Sequence, residues 1–262
     1  MRTRSAVLLA LFAARFCYVT FHQQQPRHVS RRFHNGDFDS SLFVLLQSTS
    51  PEKTSLCEGS WLTDVDDLFV FPQRIDLRRI RAASCFMFTR MLAYSSKYLP
   101  GHSRWILFSL DDAYVLVDKL RKELSALDSH EPQFAVLADV SLEDWRRNQN
   151  QGILMSRAAH DILWDRLRNS LCHCDVSVNN FISQCLGTKG LNFNEDAYGK
   201  SRNFALTRHF EVNEMSSASK PYNDGEEWIS GHSSSILSFL SLSADDLRVL
   251  RVLFRRVRVS DL

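Results

Sequence analysis

Residues 105–120 constrain the fold more than any other part of this chain. They begin with a short apolar run, pass through the paired carboxylates Asp111 and Asp112, and continue into a segment in which leucines recur every three or four residues. An apolar run of this length is typical of a buried strand, and the leucine spacing predicts an amphipathic helix. A strand followed directly by a helix is the repeating unit of an α/β sheet.

Similar patterns recur along the chain. Short apolar runs predict strands at 42–46, 68–71, 105–108, 134–137 and 152–155. Helical spacing predicts helices at 76–99, at 116–127, from the cap Ser156 to Leu167, and after a capping box of Ser243 and Asp246. We expect Asp111 or Asp112 to cap the second of these helices. The alternation predicts an α/β fold, a single domain with a mainly parallel sheet flanked by helices.

The N-terminal segment is apolar with a basic start. Residues 6–14 and 16–21 are mostly apolar, and Arg15 separates them. Such a segment predicts entry into the secretory pathway, as a retained type II anchor or as a cleaved signal; an ordinary hydrophobic segment is the third alternative. We divide the chain into a signal or anchor segment at 1–22, a polar stem at 23–40 and a folded domain at 41–262. We expect this domain in the lumen of the endoplasmic reticulum or Golgi.

The charge balance argues against a nucleic acid partner. With 32 basic and 30 acidic side chains the formal charge is +2, so the chain has no large excess of cations for a phosphate backbone. The last predicted helix carries a local basic face, which is either solvated or contacts an acidic partner or a membrane surface. Its members are Arg248, Arg251, Arg255 and Arg258.

Two aspartates have the chemistry of a metal site. Asp111 and Asp112 follow a predicted strand, where carboxylates either bind a hard divalent cation or cap a helix. The chain has no Ser-His-Asp order typical of hydrolases, no nucleophile elbow and no glycine-rich phosphate loop.

The cysteines suggest a disulfide. Cys172, Cys174 and Cys185 have a spacing that fits no standard zinc finger. In an oxidising compartment we expect either Cys172 or Cys174 to pair with Cys185. Cys85 lies in the long helical pattern, where we expect a buried free thiol.

The run WILFSLDDAYVLVDKL, at 105–120, resembles the strand, metal motif and helix of the core 1 beta-1,3-galactosyltransferase (T-synthase) family, whose motif is three aspartates followed by Thr-Tyr-Val. Trp61, Glu131 with Pro132, and Gly152–Ser156 are similar to further landmarks of that family. The family contains the enzyme and its dedicated endoplasmic-reticulum chaperone, Cosmc. The acidic stretch at 194–200 is closer to the chaperone. This resemblance implies a GT-A-like fold, the fold of nucleotide-diphospho-sugar transferases.

This chain departs from the enzyme's pattern at the positions that bind metal, approach the donor and supply the base. Leu110 replaces the first of the three aspartates, and bulky residues at 149–151 replace the glycines that approach the sugar-nucleotide. Asn179 stands at the position of the family's base, and a neutral amide cannot remove a proton from an acceptor hydroxyl. The comparison with the family therefore implies no catalytic residue, no cofactor site and no metal site, with Asp111 and Asp112 as vestiges.

These departures favour a catalytically inactive lumenal protein that is a specific chaperone for core 1 beta-1,3-galactosyltransferase in mucin-type O-glycosylation. Its partners would be that transferase, as client, and the membrane through the N-terminal segment. The alternative is an active UDP-galactose:N-acetylgalactosaminide beta-1,3-galactosyltransferase with a degenerate motif, which would use Mn²⁺ and UDP-galactose with Asp112 as main ligand. A diverged lumenal interaction protein with neither role is the third alternative.

Overall fold

The computed structural model describes residues 27–30, 41–72, 83–137, 152–174, 178–193, 203–205, 237–240 and 242–257. The strands are β1 (Arg27–Ser30), β2 (Leu42–Ser48), β3 (Asp67–Pro72), β4 (Trp105–Leu110), β5 (Tyr114–Val115), β6 (Phe134–Leu137), β7 (Gly152–Ser156), β8 (Asn203–Ala205) and β9 (Ser238–Leu240). The helices are α1 (Pro51–Glu58), α2 (Ala83–Tyr98), α3 (Val117–Leu124), α4 (Arg157–Arg168), α5 (Val178–Leu186) and α6 (Ala244–Val257).

Six strands form the central sheet, in the order β1-β3-β2-β4-β7-β6. Strands β3, β2 and β4 are parallel, and α1 and α2 supply the crossovers that parallel neighbours need. Strand β7 is antiparallel to both β4 and β6, so β6 points in the same direction as the three parallel strands. The prediction of an α/β fold with a mainly parallel sheet flanked by helices is confirmed. The arrangement is compatible with the GT-A-like fold that the resemblance implies.

The core consists of two layers, one on each face of the sheet. Side chains alternate along the strands, so that Val44 and Leu107 face one layer while Phe43 and Ile106 face the other. Helices α1, α3 and α6 cover the first face, and α2, α4 and α5 cover the second. A small second sheet, in the order β5-β9-β8, joins the residues after β4 to the C-terminal part of the chain.

The central sheet begins within the segment that we predicted as a stem. Strand β1 pairs antiparallel with β3, and the ring of His28 stacks on that of Phe69 at 5.8 Å between centroids. The folded part therefore begins before residue 41, where we had placed its start. The four residues Arg-His-Val-Ser carry no apolar pattern, because an edge strand can be held by backbone hydrogen bonds and needs no second buried face.

Two disulfides tie together the helices of the second face. Cys172 pairs with Cys185, as one of our two alternatives proposed, and Cys174 pairs with Cys85 of α2. The expectation of a free thiol at Cys85 is therefore wrong. Its partner lies 89 residues away, so no local spacing in the sequence indicates the bond.

Two predicted helix starts are confirmed. The hydroxyl of Ser156 accepts a hydrogen bond from the backbone N–H of Ala159 at the start of α4. Ser243 and Asp246 form the reciprocal capping box before α6. In the part of the chain that the structure describes, no helix combines the length and apolar character that a membrane crossing requires. The predicted signal or anchor segment lies outside the described residues.

Candidate functional site

The candidate site lies where β4 ends, at the carboxyl edge of the parallel strands. Ligands of open α/β sheets bind at this edge. Asp111 is the first residue after β4 and its side chain is fully buried, while Asp112 beside it is 8% exposed. The backbone N–H of Asp111 donates to Gln47 O at the end of β2, which fixes the turn against the neighbouring strand.

The Asp111 carboxylate holds the N-terminus of α1. Its Oδ2 accepts hydrogen bonds from the backbone N–H of Thr49 at 2.8 Å and of Ser50 at 3.0 Å. The hydroxyl of Thr54 lies 2.9 Å from the same oxygen, and the hydroxyl of Thr49 donates to Oδ1. A carboxylate at a helix N-terminus is favourable because it satisfies orphan backbone donors and complements the helix dipole.

The helix that Asp111 serves is not the one that we predicted. We expected Asp111 or Asp112 to cap α3, but the N-cap position of α3 is Leu116, without a side-chain hydrogen bond. Strand β5 lies between the aspartates and α3, and it leads the backbone into the second sheet before the helix begins.

Sequence reasoning missed α1 and therefore the donors to Asp111. A usable signal was present: Ser50 is followed by Pro51, and a serine cap with proline in the first turn is a common helix start. The hydroxyl of Ser50 accepts from the backbone N–H of Lys53 and completes that cap. Nothing local to residues 49–54, however, indicates a carboxylate partner that lies 57 to 62 residues further along the chain.

The occupied carboxylate leaves little capacity for a metal ion. Three donors surround Oδ2 of Asp111, which fills its two lone pairs, and a fourth donor occupies one of the two lone pairs of Oδ1. Asp112 accepts a hydrogen bond at its backbone oxygen from Leu242 N–H, at 2.8 Å. Within the described ranges no group of three or more His, Cys, Asp or Glu side chains is arranged to hold a metal ion.

Asn179 lies apart from the two aspartates. It is exposed in the first turn of α5, a helix that packs on the sheet face opposite to α1. Residues 149–151 and 194–200, which carried other parts of the family comparison, lie outside the described residues.

A free thiol is buried directly beneath Asp111. Cys57 of α1 donates a hydrogen bond from Sγ to Asp111 O, at 3.4 Å, and it is fully buried. Burial raises the pKa of the Cys57 thiol to about 12, and the carboxylates of Asp111 and Asp112 act in the same direction. The thiolate is the nucleophilic form of cysteine, so this environment makes Cys57 inert.

We expect iodoacetamide to leave Cys57 unmodified in the folded protein at about pH 8, because only about one thiol in ten thousand is ionised when the pKa lies four units higher. Mass spectrometry of the peptide that contains Cys57 measures the outcome. The same peptide should be fully modified once guanidinium chloride has unfolded the chain. Equal labelling rates before and after unfolding would contradict the buried environment.

A second cluster joins a serine, a histidine and an aspartate on the other face of the sheet. Ser95 Oγ of α2 lies 2.8 Å from His160 Nε2 of α4, and His160 Nδ1 lies 2.9 Å from Asp161 Oδ1. Burial acts to raise the pKa of Asp161, but hydrogen bonds from His160 and Arg157 outweigh it and hold that pKa below its usual value. No sequence motif indicates this cluster, since Ser95 and His160 are 65 residues apart.

The cluster resembles a hydrolase triad in its contacts but lacks access. Ser95 and His160 are each 1% exposed, so the hydroxyl is closed to a substrate. Its evident effect is structural: it ties α2 to α4, while the disulfide between Cys85 and Cys174 ties α2 to the segment that follows α4.

Comparisons with known proteins place the chain in a family. No protein-family model matches it. A glycosyltransferase involved in the glycosylation of the major capsid of PBCV-1 has a similar structure, with 12% sequence identity and a TM-score of 0.45 over 81% of this chain and 99% of that one. "Uncharacterized protein F37A4.3" of Caenorhabditis elegans is 34% identical over 229 residues, which cover 86% of this chain and 81% of the relative. The chain belongs to the same family as that nematode protein.

Proposed function

We propose that this protein is a catalytically inactive, glycosyltransferase-like protein of the secretory pathway that acts as a specific chaperone for core 1 beta-1,3-galactosyltransferase. The observation that carries the loss of catalysis is the Asp111 carboxylate, whose oxygens are occupied by the N-terminus of α1. An aspartate that serves as an internal helix anchor is unavailable to neutralise a diphosphate leaving group through a metal. The choice of client rests on the sequence resemblance.

The disulfides support residence in the lumen of the endoplasmic reticulum or Golgi. Disulfides form and persist in oxidising compartments, and the described residues of this chain contain two of them. An N-terminal anchor or signal would deliver the domain there. In this proposal the partners are the client transferase and the membrane, and the activity requires no cofactor.

Co-expression tests the chaperone role. We expect the soluble activity of a core 1 galactosyltransferase to rise severalfold when this protein is produced in the same cells, because a folding assistant increases the folded fraction of its client. A lumenal galactosyltransferase of another linkage type is the control, and its activity should not change. Equal yields of core 1 activity with and without this protein would refute the proposal.

An active galactosyltransferase is the second candidate. The observation in its favour is Asp112, a second carboxylate that follows the carboxyl end of β4 and is 8% exposed. Titration of the purified protein with UDP and Mn²⁺ separates the candidates, since a ligand at about one hundred times its dissociation constant adds about 2.7 kcal/mol to the stability of a specific binder. We expect no Mn²⁺-dependent shift in the melting temperature. A rise in the melting temperature that corresponds to a stabilisation of about 2.7 kcal/mol would favour the enzyme.

A further inference from the structure

A shallow pocket of about 290 Å³ lies on the outer face of α2, far from the aspartates in the fold. Phe71 of β3 and residues of the last three turns of α2 line it: Arg90, Ala93, Tyr94, Lys97 and Tyr98. Tyr98 is 41% exposed, so part of its ring is accessible to a partner. The small side chain of Ala93 leaves the opening between the two cationic residues.

The two cations of this pocket, Arg90 and Lys97, contact aromatic rings. Arg90 lies over the rings of Phe71 and Phe86, at 5.5 and 5.6 Å from their centroids, and Lys97 lies 5.1 Å from the centroid of Tyr98. Among the described residues neither cation forms an ion pair, and α2 contains no Asp or Glu. The pocket is therefore an aromatic floor with a net positive rim.

Ring contacts fix the position of the aromatic floor. Tyr98 stacks on Phe69 and on Tyr94, with centroids 5.7 and 4.9 Å apart, and Phe71 meets Tyr94 edge to face at 5.5 Å. A floor held in place by these contacts offers a preformed apolar surface against which an aliphatic or aromatic side chain of a partner can pack.

The spacing of the rim specifies the shape of its partner. Arg90, Tyr94 and Lys97 recur at i, i+4 and i+7, so they lie on one face of α2, and the two cations are separated by about 10.5 Å of helix rise. A second amphipathic helix with acidic residues at i and i+7 and an apolar residue at i+3 or i+4 presents the same spacing with opposite charge. Helix-in-groove binding uses anchors of this kind.

We propose that this pocket, defined by Phe71, Arg90, Ala93, Tyr94, Lys97 and Tyr98, is a docking site for an amphipathic acidic helix of a partner protein. Two carboxylates of that helix pair with Arg90 and Lys97, and an apolar side chain between them enters the opening above Ala93. The inference is independent of the proposed chaperone role, because it rests on the charge and spacing of α2 alone. It holds whether or not the partner is a transferase.

A fluorescein-labelled alanine-based peptide of about 18 residues, long enough to form a helix, tests the proposal when it carries Glu, Leu and Glu at i, i+4 and i+7. We expect fluorescence anisotropy to report a dissociation constant on the order of 10–100 μM at low salt, and weaker binding as salt rises, because exposed ion pairs are screened. The double variant Arg90→Gln with Lys97→Gln should weaken binding about tenfold.

Matched controls make the result decisive. The variant Lys119→Gln with Lys122→Gln removes the same charge from exposed positions of α3, on the opposite face of the sheet, and should bind the peptide as the native protein does. Circular dichroism confirms that both double variants are folded. The proposal is overturned if a peptide with Gln in place of both Glu residues binds equally well, or if Arg90→Gln with Lys97→Gln has no effect. It is also overturned if an oligothymidine binds at Arg90 and Lys97 more tightly than the peptide.

Discussion

Replacing both Cys85 and Cys174 by alanine is expected to lower the free energy of unfolding by about 4–5 kcal/mol, the larger of the two disulfide effects in this protein. The bond joins residues 89 positions apart, so its loss restores a large amount of conformational freedom to the unfolded chain. It also releases the start of α2 from the segment that follows α4. We therefore expect partial loss of the packing between these elements.

Urea unfolding followed by tryptophan fluorescence measures this effect. The matched control is the variant with Cys172 and Cys185 replaced by alanine, which removes a loop of only 13 residues and should cost about 3 kcal/mol. Equal losses in the free energy of unfolding for the two variants would contradict the expected dependence of disulfide stabilisation on loop length. A gain in stability for the Cys85 and Cys174 variant would show that the long-range bond is absent from the folded protein.

Substituting Asp111 with alanine is expected to destabilise the fold by about 3–5 kcal/mol, because each buried donor that loses its acceptor costs about 1–3 kcal/mol. The substitution leaves the backbone N–H groups of Thr49 and Ser50 without their acceptor, whereas the hydroxyl of Thr54 can still donate to Ser48 Oγ or Ser50 O. Because these donors begin α1, we expect the helix to fray and to expose Cys57. Faster alkylation of that thiol is an independent measurement of the same event.

Two variants separate the anchoring role from a metal role. Thr49→Val removes one donor to Asp111 and should cost only about 1 kcal/mol. Asp111→Asn keeps the shape of the side chain but turns an N–H₂ group toward donors. We therefore expect it to lower the free energy of unfolding by more than Thr49→Val and by less than Asp111→Ala. A metal role predicts instead that Mn²⁺ stabilises the native chain and not Asp111→Ala. A loss below about 1 kcal/mol for Asp111→Ala would contradict the anchor described above.

The elements that bury both faces of the sheet were predictable from the sequence. Strands β2, β3, β4, β6 and β7 are continuous apolar runs, because side chains on both faces enter a core. The starts of α4 and α6 were predictable as well, since a cap is a local contact between residues three positions apart.

The partners of the site were not predictable, because each contact is long-range. Asp111 binds residues of α1, Cys85 binds Cys174, and His160 meets Ser95, all at separations of more than 50 positions. A single sequence shows the chemical nature of each side chain. It does not show which distant segments the fold brings into contact. The two aspartates were thus recognised as important, while the helix that Asp111 stabilises was not.

The short first strand also determines how this protein tolerates shortening. Strand β3 is buried along Leu68–Phe71 on both faces, and β1 covers its outer row of backbone N–H and C=O groups. A chain that started at residue 41 would leave this apolar strand as the outermost one, with open hydrogen-bonding groups. Such an edge is a template for pairing between molecules and for aggregation. The four residues of β1 therefore cover the apolar edge of β3, although they contribute little to the core.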